Sequence, residues 1–181
     1  MVSFAQEGEA VSFLDLLDQI KDPHDVTKRA AAAQALGKLR DRIAIPALLE
    51  ALKDPHFDVR DNAAYALAEL GDPSVAPTLL ALLRDPSRQI RKTAAKGLGM
   101  LRAAEGVDAL TEALGDSSYL VRKSAIRSLG QIGGLKAIQA LRDALTREKE
   151  PVLLALLHKT LNAPAQWHRP VSPARDPAGH K

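Results

Sequence analysis

Three segments of this 181-residue chain repeat one pattern with a period of 31 residues. They are Asp54-Pro55-His56-Phe57-Asp58-Val59-Arg60, Asp85-Pro86-Ser87-Arg88-Gln89-Ile90-Arg91 and Asp116-Ser117-Ser118-Tyr119-Leu120-Val121-Arg122. Each leads into a small-residue stretch closing on Leu67-Ala68-Glu69-Leu70, Leu98-Gly99-Met100-Leu101 or Leu129-Gly130-Gln131-Ile132. An earlier copy begins at Asp22-Pro23 and reaches Arg29 with one extra residue. A unit this short cannot bury its apolar face alone, so successive units stack into a solenoid. The search for function therefore moves from closed pockets to surfaces.

Composition agrees with close helix packing. The 46% hydrophobic content is mostly Ala and Leu, and only 3% of residues are aromatic. The chain has no cysteine, which excludes a disulfide framework, a thiolate nucleophile and a Cys-ligated zinc. The first residues carry no basic start followed by an apolar run, so no signal peptide is expected. No stretch is long and apolar enough for a bilayer, and a cytoplasmic protein without membrane association is expected. The formal net charge is +3. The segment from Ala163 onward holds Arg169, Arg175 and Lys181 against Asp176, a net of +2, which leaves the repeats nearly neutral. Distribution of charge must then say more than its sum.

Two helices per unit are expected. Ser12 and Asp15 have the spacing of a capping box ahead of Phe13, Leu16, Leu17 and Ile20. Pro46 and Pro77 fall where first helical turns should begin. The Asp-Pro pairs break the chain between helices, and their aspartates are expected to cap the helix that follows. Val59, Ala63, Ala66, Leu67 and Leu70 form one burial stripe, repeated as Ile90, Ala94, Gly97, Leu98 and Leu101 and as Val121, Ala125, Ser128, Leu129 and Ile132. In the first copy the columns read Lys28, Ala32, Ala35, Leu36 and Leu39. Five helix pairs are expected, near 12–40, 42–71, 74–102, 105–133 and 135–162, the last degenerate because no Arg follows Val152. Residues 1–11 form an N-terminal extension, 12–162 the solenoid and 163–181 a Pro-rich tail expected to be disordered.

The pattern Asp-Pro-x-x-x-Val-Arg-x-x-Ala-Ala-x-Ala-Leu-x-x-Leu-Gly, complete from Asp54 to Gly71, resembles the HEAT repeat. Its short form is similar to that of bilin-lyase subunits and related bacterial proteins. The resemblance implies an all-α superhelix with the second helix of each pair on the concave, ligand-binding side. It also implies that such chains serve as scaffolds, adaptors or enzyme subunits.

Two sets of residues stand out. Asp54 with Arg60, Asp85 with Arg91, and Asp116 with Arg122 recur six apart, while Asp22 and Arg29 are seven apart. These arginines flank the burial stripe, where they suit a charge-assisted ladder joining adjacent repeats. A row of anion-binding arginines is the alternative. The second set lies opposite the stripe: Asp61 and Tyr65, then Lys92 and Lys96, then Lys123 and Arg127. No acid lies between Arg88 and Arg102 or between Ser117 and Gly134, whereas Glu105, Asp108 and Glu112 sit on a first helix.

A basic inner face predicts an acidic partner, set against the plain alternative of solvated charged helix faces. Nucleic acid is a weaker candidate, because Asp61, Asn62 and Glu69 interrupt the row and only Tyr65 offers a stacking surface there. Gly37, Ala68, Gly99 and Gly130 are expected to relieve crowding on the inner side. His24 and His56 share a turn position without further ligands, so neither a metal nor a cofactor is expected. No nucleophile has an activating histidine, so a non-enzymatic protein-binding scaffold is expected. A bilin-lyase accessory subunit is the alternative. Trp167, in the tail, is either a docking motif or a cover for Leu153, Leu154 and Leu157 on the last helix.

Overall fold

The computed structural model describes residues 11–163. Within them the chain forms ten α-helices in five successive pairs. They are α1 (Phe13–Gln19) with α2 (Val26–Leu39), α3 (Ile45–Ala51) with α4 (Phe57–Leu70), and α5 (Ala76–Leu82) with α6 (Arg88–Met100). The series continues with α7 (Val107–Ala113) and α8 (Tyr119–Ile132), then α9 (Gly134–Leu145) and α10 (Pro151–Leu161). Single 3-10 turns at Arg42–Ala44, Pro73–Val75 and Ala104–Gly106 feed the first helices of the middle pairs. The N-terminal extension and the tail, including Trp167, lie almost wholly outside the described residues.

Local chemistry sets the helix ends. Ser12 caps α1 and closes the capping box: its hydroxyl accepts from the Asp15 N–H, and the Asp15 carboxylate accepts from the Ser12 N–H. Pro46 and Pro77 lie in first turns, where a missing N–H costs nothing. The second helices end at one repeat position in a left-handed residue or beside one. Arg40 (φ 54°), Gly71 (φ 70°), Arg102 (φ 50°) and Gly133 (φ 74°) occupy it in turn.

The expected capping role of the repeat aspartates is corrected. Asp54, Asp85 and Asp116 each accept the N–H of the residue two ahead (His56, Ser87, Ser118), closing a turn one step before the helix. His56, Ser87 and Ser118 are themselves the N-cap residues and make no side-chain cap. The first repeat closes the same turn, Asp22 accepting the His24 N–H at 3.0 Å, and adds a cap. There the extra residue places Asp25 at the cap of α2, where it accepts from the Lys28 N–H at 2.9 Å.

Each second helix packs on the next, α2 on α4, α4 on α6, α6 on α8 and α8 on α10, while first helices meet their neighbours far less. The stack therefore curves with the second helices inside. The burial stripe runs between the layers: Val59, Ala63, Leu67, Ile90, Ala94, Leu98, Val121, Ala125 and Leu129 are fully buried. At the first repeat Ala32 and Leu36 are buried but Leu39 is exposed, as is Lys28, which pairs with Asp22 at 2.9 Å.

The inner crossings demand small residues. A Cβ on Gly37 would lie 2.6 Å from the Ala66 backbone, and one on Gly130 would lie 2.5 Å from Thr160. A Cβ on Gly99 would collide with Gln131 and Ser128.

The fifth repeat is shifted by one residue. Leu153 is fully buried while Val152 is 54% exposed, so Leu153 takes the column that the sequence pattern gives to Val152.

Candidate functional site

The arginine ladder crosses repeat boundaries, with one gap. Arg29 donates from Nε and Nη2 to Asp54 at 2.6 and 3.2 Å. Arg91 does the same to Asp116, at 2.7 and 3.0 Å. Within its own repeat each arginine reaches only the backbone: Nη1 donates to the carbonyls of Asp22, Asp54, Asp85 and Asp116 from Arg29, Arg60, Arg91 and Arg122. Arg60 makes no bond to Asp85; it holds the carbonyls of Asp54 and Pro55.

Arg122 finds Glu148 at 3.0 Å, 26 residues ahead where the other rungs span 25. Glu148 accepts the N–H groups of Lys149 and Glu150, so it stands in for the repeat aspartate. It is a residue the pattern missed, because it is a glutamate and is displaced by one place.

The ladder carboxylates are held ionised. The Arg91 guanidinium keeps Asp116 below its ordinary pKa against the opposing effect of burial. Burial pushes Asp54 and Glu148 upward, but their arginines and accepted N–H groups outweigh it.

Two cross-helix rows face the groove. One position per repeat gives Tyr65, Lys96 and Arg127, and the position one turn earlier gives Asp61, Lys92 and Lys123. The Lys96 ammonium sits 4.5 Å from the centre of the Tyr65 ring and 3.5 Å from its hydroxyl, a cation–π contact across the α4–α6 boundary. Lys123 lies 5.6 Å from the centre of the Tyr119 ring, an aromatic that the sequence reading places in the repeat motif and not among the site residues.

Asp61 is committed to the scaffold. Its carboxylate accepts from Gln89 Nε2 at 2.9 Å and from the Thr93 hydroxyl at 2.5 Å, joining α4 to α6 where the arginine rung is missing.

None of Lys92, Lys96, Lys123 and Arg127 forms an ion pair among the described residues. Two of the three outer acids are matched instead: Asp108 bonds Lys136 at 2.7 Å and Glu112 meets Arg84 at 3.7 Å. The basic row also extends further than the sequence pattern indicated. Lys159 of α10 shares a notch with Arg127, Gly130, Gln131, Leu156 and Thr160. It was missed because it falls one residue beyond the 31-residue period.

Among the described residues, no group of three or more His, Cys, Asp or Glu is placed to hold a metal ion. None of the described helices is long and apolar enough to cross a membrane.

Comparison with solved structures places this architecture among repeat proteins. The CpcE–CpcF complex of phycocyanin lyase from Nostoc sp. PCC7120 superposes with a TM-score of 0.71 at 24% identity, over 90% of this chain and 70% of that one. An engineered protein matches with a TM-score of 0.58 at 22% identity, over 82% and 77%. Computationally designed armadillo repeat proteins for modular peptide recognition match at 0.56 and 19%, over 82% and 80%. These likenesses concern the fold. A search of curated proteins finds no significant relative. The model of HEAT repeats matches residues 13–89 and again 76–162, and the chain therefore belongs to the HEAT-repeat family.

Proposed function

We propose that this protein is a non-enzymatic scaffold that captures an acidic protein partner on the inner face of its second helices. The observation that carries the reading is the contrast in pairing. Lys92, Lys96, Lys123 and Arg127 stand together on adjacent helices without ion pairs among the described residues, while two acids of the outer layer, Asp108 and Glu112, are met by Lys136 and Arg84. Like charges placed side by side raise the local potential and accelerate encounter with an oppositely charged surface. Tyr65, held under Lys96, adds a rigid amphipathic surface of the kind enriched at binding hot spots. The fold likeness to armadillo proteins designed for modular peptide recognition supports the reading.

The test is a pull-down from native lysate, with and without nuclease, using wild type and Lys92→Glu/Lys96→Glu/Lys123→Glu/Arg127→Glu as baits. A protein retained after nuclease and lost with the charge-reversed bait supports the reading. Recovery abolished by nuclease replaces it with nucleic-acid binding, and equal recovery by both baits removes the patch from consideration.

A second reading follows from the likeness to the phycocyanin lyase complex: this chain is one subunit of a bilin-attaching enzyme. Its signature is a visible absorbance band that travels with the protein purified from its native host.

A further inference from the structure

We propose that the inner face binds its acidic segment as an extended chain running across the helices, with carboxylates at every third residue meeting Lys96, Arg127 and Lys159. The inference rests on the acidic-partner reading above and specifies the register and far end of the ligand.

The cations are arranged one per repeat. Lys96, Arg127 and Lys159 lie on α6, α8 and α10, three second helices that pack in succession. Neighbouring packed helices are about 8–10 Å apart. A polyproline II chain, the extended form with three residues per turn, advances about 3.1 Å per residue, so about three residues bridge one repeat to the next and bring the side chain back to the same face. Acids at i, i+3 and i+6 then face the three cations in turn. Acids at i, i+2 and i+4 fall progressively short.

The row has a built end. Arg127 and Lys159 line one cavity of about 280 Å³ between α8 and α10, together with Gln131 and Thr160. No acidic side chain lines it. Thr160 donates its hydroxyl to the Leu156 carbonyl, so the polar groups left to greet an incoming carboxylate there are the two cations and the Gln131 amide. The space suits a side chain or a chain end and is too small for a helix.

The other end of the row differs in chemistry. There Tyr65 replaces the cation and shares the Lys96 ammonium. An acid facing Lys96 is thus flanked by an aromatic ring on one side and an open basic row on the other.

A helical ligand would need acids seven residues apart to match the same spacing, at 1.5 Å of rise per residue. It would also have to lie straight along a curved inner wall. An extended chain follows the curve.

The test is fluorescence anisotropy at low salt on the full-length protein with short labelled peptides of equal net charge. One peptide carries Glu at i, i+3 and i+6 in a Ser/Thr/Pro background, a second carries Glu at i, i+2 and i+4, and a third is an Ala-rich helix with Glu at i, i+7 and i+14. The first should bind about tenfold more tightly than either other. Lys159→Glu should remove about tenfold of that affinity, with little effect on a peptide lacking the i+6 acid. Lys159 is exposed, so the fold should survive, which circular dichroism checks; Lys159→Gln provides the milder second variant.

Equal affinities for the first two peptides, abolished by reversing Lys92, Lys96, Lys123 and Arg127, would overturn the register and leave the groove standing. Tighter binding of the helical peptide would overturn the extended conformation. Acidic peptides that fail to bind, or that bind the charge-reversed protein equally, would remove the groove and the register together.

Discussion

The Arg91 guanidinium grips Asp116 of the following repeat through two bonds while its third nitrogen holds the Asp85 carbonyl behind it. One side chain thus ties the turn of its own repeat to the turn of the next. Arg29 repeats the arrangement with Asp54 and the Asp22 carbonyl. Arg60 does not.

That difference predicts unequal mutational costs. The side chains of Arg29 and Asp54 are only 10% and 9% exposed, so removing the cation strands a mostly buried carboxylate. Arg29→Ala should destabilise by about 3 kcal/mol. Arg60→Ala, which loses only bonds to carbonyls, should cost about 1 kcal/mol. Chemical denaturation of both variants measures the gap; equal losses would deny the rungs a special role.

Acid should dissolve the ladder. Asp54, Asp116 and Glu148 titrate below their ordinary values in the folded protein. Groups whose pKa falls on folding stabilise fully above the unfolded pKa and lose that contribution as pH drops through the folded value. The melting temperature should be flat near neutrality and fall below about pH 4. Asp116→Asn should melt lower than wild type at neutral pH and show a shallower acid slope. An unchanged slope would mean the ladder carries little of the pH dependence.

The helix ends at Arg40 and Arg102 hold left-handed backbone that a side chain disfavours. Gly71 and Gly133 occupy the same repeat position at no such cost. Arg40→Gly/Arg102→Gly should raise stability by about 1 kcal/mol or more, visible as a rise of several degrees in melting temperature. A drop would show that these arginines make compensating contacts.

The inner crossing at Gly37 leaves no room for a methyl group against the Ala66 backbone. Gly37→Ala should destabilise by about 1–3 kcal/mol despite its better helix propensity. A neutral or stabilising result would mean α2 and α4 separate easily.

Reversing Lys92, Lys96, Lys123 and Arg127 should slow association with the acidic partner and flatten its salt dependence, while loss of the Lys96–Tyr65 contact lowers the melting temperature by only a few degrees. Stopped-flow rates at two ionic strengths decide it. A change confined to dissociation would argue against electrostatic steering.

The helix pairs were legible because a 31-residue period repeats turn, stripe and cap together. The ladder was half legible. Its residue types recur, yet nothing in Arg60 itself announces that Asp61 will take over the contact to the next repeat through Gln89 and Thr93. Glu148 and Lys159 were hidden by the one-residue displacement of the fifth repeat, which breaks column counting but not packing. The aspartates were misjudged as caps because Asx turns and N-caps use the same side chain at neighbouring positions.

The second and third repeats meet without an arginine rung, and α4 touches α6 over less of its length than α2 touches α4 or α6 touches α8. What spans that seam is Asp61 on its α6 partners and Lys96 over Tyr65. Pulled from its ends, the molecule should therefore part between the second and third repeats before it parts between the first and second or between the third and fourth. A ligand that draws Lys96 away from Tyr65 would tug on the same fault line, so binding and stiffness share a side chain.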